Sequence, residues 1–174
     1  MKKLIMPMSV LAIMLLIVVV TFINQTEKRN VPLDGLVGQA LYKTWEGYTR
    51  ILEAPEGPPN EEVIHDMHSH LISVQAYSNM VDLAVGTQLL HHIADDLLAL
   101  QQTINPVSPD PTDRERYTFI INNITTLLPL ITDTYYVPSH HGGKPNFNVT
   151  NAQAEQLIEL RDRLRQTIKE VSAG

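Results

Sequence analysis

Asn60-Glu61-Glu62-Val63-Ile64-His65-Asp66-Met67-His68-Ser69-His70-Leu71 opens a stretch, residues 60–105, that contains no proline. Through it, Ile64, Met67, Leu71, Val74, Val81, Val85, Leu89, Ile93, Leu97, Leu100 and Ile104 recur at steps of three, four or seven. At about 100° of turn per residue, such positions keep to one broad face of an α-helix. Asn60 has the short polar side chain that caps a helix start, and Glu61 and Glu62 suit the positive end of its dipole. The spacing favours one long helix over residues 60–105, kinked near Gly86, with Ser78 at a core position; two separate helices are the alternative. That reading makes the fold all-α.

The flanks extend it. Upstream, Asp34 suits a helix start, and Val37, Leu41, Thr44, Trp45, Tyr48 and Leu52 follow at helical spacing until the proline-rich residues 55–59 stop them. Downstream, Pro106, Pro109 and Pro111 break the chain again. Thr112 and Glu115 then have the spacing of a capping box, ahead of Tyr117, Ile120, Ile121, Ile124, Leu127, Leu128 and Ile131. Pro129 is expected to kink or end that helix, because its ring removes a backbone donor. Residues 135–148 form the longest loop. A final helix starts at Thr150 with Gln153 and carries Leu157, Leu160, Leu164, Ile168 and Val171 in a narrow stripe. With no strand-period segment and no internal repeat, the expected architecture is an antiparallel bundle of four or five helices.

Ahead of this body, residues 4–23 contain no charged side chain. A helix of that length reaches about 30 Å, the thickness of bilayer hydrocarbon. A cleaved signal peptide has a shorter apolar region ending in small residues, whereas this run ends Val20-Thr21-Phe22-Ile23. The run is therefore expected to be an uncleaved signal-anchor, a single-pass transmembrane helix occupying residues 1–23, with a short stalk at 24–33 and a helical domain at 34–174. Lys2 and Lys3 precede it and Lys28 and Arg29 follow, so the charge bias is mild. The short basic tail favours a cytoplasmic N-terminus and an extracytoplasmic domain in the cell membrane. With only residues 1–3 ahead of the span, any signal must pass through a partner.

All 19 acids but only 11 of the 13 bases follow the run, which leaves residues 24–174 at −8. Such a surface disfavours nucleic acid and anionic head groups. The absence of cysteine excludes disulfides and thiolate chemistry.

Seven histidines cluster as His65, His68 and His70, then His91 and His92, then His140 and His141. His65 and His68 have the i,i+3 spacing of imidazole ligands on one helix, and His140 or His141 completes a metal site if the long loop folds back over them. Asp66-Met67 between them departs from the H-E-x-x-H pattern, so no glutamate is placed as a base. Relative to the apolar stripe, His68 edges the core and His65 faces water. The plainer account is a set of boundary and surface histidines. Tyr135, Tyr136 and Phe147 bracket Gly142-Gly143 in the loop and suit an exposed contact surface.

No nucleophile, acid and base can be placed together, and no phosphate-cradling loop is present. Two functions remain open. One is a non-catalytic, membrane-anchored interaction or scaffold module that binds another membrane or envelope protein, or itself. The other is a metal- or small-ligand-binding bundle built on the histidines, acting through a membrane partner. The histidines alone point to a cofactor, a bound metal or haem, and none is required.

Overall fold

The computed structural model describes residues 35–54, 59–137, 144–145 and 151–173. The chain divides into two units, Met1–Leu36 and Val37–Gly174, and the apolar core lies in the second. Among the described residues there are five helices: α1 (35–52), α2 (Glu61–Val85), α3 (Leu89–Gln101), α4 (Pro111–Tyr135) and α5 (Asn151–Ala173). A ladder of two residues a side, β1 (Tyr136–Val137) against β2 (Lys144–Pro145), runs antiparallel between α4 and α5. None of these helices is long and apolar enough to cross a membrane. Residues 4–23, expected to do so, and the 24–33 stalk lie outside the described residues.

Successive helices reverse direction. Gly47 of α1 lies against Val74 of α2, while Ile51 and Ala54 share a cleft with Met67 and Val63. Along α2 and α3, His68 meets Gln101, Gln75 meets Asp95, and Asp82 meets His91. Arg116, early in α4, bonds to the Thr103 carbonyl just past α3, and Tyr135 at the end of α4 lies near Thr87 just ahead of α3. The first four helices are therefore antiparallel neighbours.

α3 is the central element and packs against α2, α4 and α5. Leu89, Leu90, Ile93, Ala94, Leu97, Leu98 and Leu100 are all buried, so apolar side chains go nearly all round the helix. The other helices each bury one stripe: Val37, Leu41, Tyr48 and Ile51 from α1, Ile64, Met67, Leu71, Val74 and Val81 from α2, Ile120, Ile124, Leu127 and Ile131 from α4, and Leu157, Leu160 and Leu164 from α5. Each such side chain contributes roughly 1.5–3 kcal/mol on leaving water.

One long helix over residues 60–105 does not form. α2 stops at Val85 because Gly86 takes a left-handed conformation, φ 76°, and the N–H groups of Gly86 and Thr87 both turn back to the Asp82 carbonyl. α3 then starts without a side-chain bond from its own cap residue, Gln88. Asp82 replaces it, accepting the His91 N–H at 2.7 Å and the Thr87 hydroxyl at 2.6 Å. A carboxylate on the last turn of one helix thus caps the next, which fixes a sharp reversal where a kink was expected.

Two more expectations are corrected. The capping box of α4 is Asp110 with Asp113, with Pro111 in the first turn, so the helix starts ahead of Thr112. Of the two outcomes expected at Pro129, a kink or an end, the end does not occur, and α4 continues to Tyr135. Pro129 is on the exposed face, where solvent can satisfy the carbonyl it leaves unpaired. Asn60 does cap α2, accepting the Val63 N–H at 2.9 Å.

Candidate functional site

Where α2 begins and α3 ends, their antiparallel pairing brings the Asn60-capped first turn against the last turn of α3. The space between is a groove of about 710 Å³, walled by Glu61, Glu62, His65 and His68 from α2 and by Gln101 and Gln102 at the end of α3. Ile64, Ile104 and Pro106 give it an apolar floor. The volume falls within the ordinary range of ligand sites.

A hydrogen-bonded chain pins the polar part of the floor. Gln101, almost fully buried, donates from Nε2 to the Ile64 carbonyl at 3.3 Å, and its Oε1 lies 2.7 Å from His68 Nδ1. A carbonyl only accepts, so the amide nitrogen must face Ile64 and the amide oxygen must face the ring. His68 Nδ1 therefore carries a proton, and in the neutral ring Nε2 is left as a lone-pair acceptor. With the Glu61 and Glu62 carboxylates it gives the groove three acceptors, beside Gln102 and His65, which can donate or accept. No hydroxyl side chain, lysine or arginine lines it among the described residues.

His65 and His68 stand on the same wall, His65 exposed and His68 half-buried, in the order helical geometry implies. Yet no group of three His, Cys, Asp or Glu among the described residues is placed to hold a metal ion. His140, His141 and Phe147 lie outside the described residues. Tyr135 is not the exposed loop residue expected. It closes α4 and is 1 % exposed, because the helix runs through Pro129 and carries it into the core. Tyr136 pairs across the ladder with Pro145 and is half-buried against the core, which raises its phenol pKa through desolvation.

A second polar cluster lies along α3. His91 Nε2 is 3.3 Å from Asp95 Oδ2, and Gln75 of α2 donates to the same carboxylate. At the next residue, Arg165 of α5 donates to Asp96 at 3.2 Å. Burial raises the Asp96 pKa, with the Arg165 guanidinium pulling against it. Nearby, the buried hydroxyls of Tyr48, Ser78 and Tyr135 have no hydrogen bond of ordinary geometry. None of these groups lines the groove.

Sequence reasoning missed Asp82, Gln101 and Gln102, and read Glu61 and Glu62 only as cap residues. One signal was available. From Ile51 to Asp113 the chain has ten acids and five histidines but no lysine or arginine. No family model, curated protein or solved structure matches the chain.

Proposed function

We propose that this chain is a membrane-anchored, extracytoplasmic interaction module without catalytic activity. Residues 4–23 hold it in the bilayer as a single-pass helix with the N-terminus in the cytoplasm, and the helical body presents the groove between α2 and α3 to another membrane or envelope protein. The observation that carries the reading is the uncharged twenty-residue run ahead of a helical body, since a span of that length suits a bilayer. The groove supports the binding role, because it joins an apolar floor to a polar rim and lacks a nucleophile.

Two measurements test it. A reporter active only outside the cytoplasm, fused after Gly174, is expected to be active, and N-terminal sequencing is expected to begin at the initiator end. A photo-crosslinking residue at Gln102 in the membrane-bound full chain is expected to capture a discrete partner. Cytoplasmic reporter activity, or a mature chain starting after Ile23, defeats the anchor. Absence of any adduct at Gln102 defeats the binding role.

A second reading is favoured by one observation. The Gln101 oxygen holds the proton on His68 Nδ1 and leaves Nε2 free, as partners behind a metal-binding histidine do. On that reading the bundle binds a metal or small ligand and reports to its partner. Zinc, copper or haem bound tightly by the folded chain raises its melting temperature, and no shift with any of them removes this alternative.

A further inference from the structure

We infer that the α2–α3 groove takes an arginine- or lysine-bearing segment of the partner protein. The inference rests on the interaction-module reading above and names the chemistry of what binds. Its first support is the donor count. Three groups of the groove can only accept, the Glu61 and Glu62 carboxylates and His68 Nε2, while His65 and Gln102 beside them can donate or accept. Ammonium and guanidinium groups only donate, so they are the side chains that fit.

Charge supplies a second, independent argument. The region from Ile51 to Asp113 has no base, whereas the chain from Arg114 onward has seven bases against six acids. Five acids elsewhere in the body have a lysine or arginine of their own: Glu46 with Lys43, Glu53 with Arg50, Asp113 with Arg116, Asp162 with Arg161 and Asp96 with Arg165. Glu61, Glu62 and Asp66 have no ion pair among the described residues. Glu61 and Glu62 stand in the first turn of α2, where only the helix dipole offsets their charge. The last turn of α3, which borders the same groove, carries no basic residue of its own, and Arg116 of α4 reaches only the Thr103 carbonyl just beyond it. The floor of Ile64, Ile104 and Pro106 receives the aliphatic stems that lysine and arginine lay on apolar surface. An anionic lipid or nucleic acid meets only repulsion here.

The test uses the full chain in neutral detergent and two labelled peptides, one of alternating arginine and alanine, the other of alternating glutamate and alanine. The basic peptide is expected to bind with an affinity that falls steeply as added salt shortens the screening length, and the acidic one not to bind. Glu61→Gln with Glu62→Gln is expected to weaken binding about tenfold. Gln102→Lys, which puts a cation on an exposed wall of the groove, is expected to weaken it comparably while leaving the melting curve in place. Glu53→Gln with Glu155→Gln removes equal charge away from the groove and is expected to change affinity by less than about twofold. Equal weakening by the two glutamine pairs overturns the inference, because the peptide then reads only net charge. So does failure of the basic peptide to bind. Either result leaves the crosslinking and topology tests of the anchored module to stand or fall separately.

Discussion

The Asp82 carboxylate accepts the His91 backbone N–H at 2.7 Å across the α2–α3 reversal, with the Thr87 hydroxyl on its other oxygen at 2.6 Å. Asp82 is 1 % exposed. Its charge is held by two donors and by the free N–H end of α3, whose own cap residue makes no such bond. The turn that places the groove's two walls therefore depends on a residue far from the groove.

Asp82→Ala leaves that N–H and that hydroxyl without an acceptor and is expected to cost about 2–4 kcal/mol. Asp82→Asn keeps one acceptor oxygen and is expected to cost roughly half as much. Urea unfolding measures both, and hydrogen exchange at His91 is expected to accelerate in the alanine variant. An unchanged unfolding midpoint in Asp82→Ala refutes the capping role.

Gly47 marks the close approach of α1 to α2. A Cβ built there meets Val74 Cγ2 at 2.5 Å, and Val74 is fully buried and stiff at χ1. Gly47→Ala is expected to destabilise by about 2 kcal/mol, and adding Val74→Ala to restore part of the loss. A double variant no more stable than Gly47→Ala would show that the clash is not the cause. Gly86→Ala has open space around its Cβ but a left-handed backbone, so strain alone is expected to cost about 1 kcal/mol.

Tyr48 and Tyr135 are buried, and desolvation, helped by the Asp82 charge, pushes both phenols far above their ordinary range. The folded chain keeps protons that the unfolded chain releases near pH 10. Stability is therefore whole below that value and lost as pH rises through and beyond it. Tyr48→Phe removes one of the two groups, and its stability is expected to fall less steeply under alkaline conditions. Because the Tyr48 hydroxyl lacks a partner, the same variant is expected to gain about 1 kcal/mol at neutral pH. Loss of stability at neutral pH would show that the hydroxyl is satisfied in solution.

Asp96 is raised by burial, against the pull of Arg165 and His92. A carboxyl whose folded pKa exceeds its unfolded one adds stability below the unfolded value, and that contribution disappears as pH rises through the folded value. At neutral pH Asp96 is thus a cost that Arg165 partly offsets. Arg165→Ala is expected to lower the melting temperature at neutral pH and to matter much less below pH 4, where Asp96 is protonated. Asp96→Asn is expected to be neutral or stabilising at neutral pH. Equal loss from Arg165→Ala at both pH values would assign the arginine a packing role instead.

Much of the bundle is written in short-range pattern. The stripe from Ile64 to Val81, the Asn60 cap and the stops at the prolines depend on residues within a turn or two of one another, so helical period and capping chemistry reveal them without a third dimension. Residues 60–105 were misread as continuous because the apolar face carries on across Gly86, while the group that ends α2 and starts α3 is a single aspartate folded back between them. Pro129 alone suggests a break that leaves Tyr135 in a loop, and only the exposed setting of that proline lets α4 continue into the core. The groove was not legible at all. Glu61 and Gln101 are forty positions apart in the chain, and only reversal at Gly86 brings a helix's first turn beside another's last. Composition by itself determined an acidic, cysteine-free, all-helical body behind an uncharged run, because those properties follow from residue type and spacing. Which acids stand uncompensated, which histidine nitrogen stays free and which tyrosine is buried were decided by tertiary packing, because each depends on partners the chain brings from a distance.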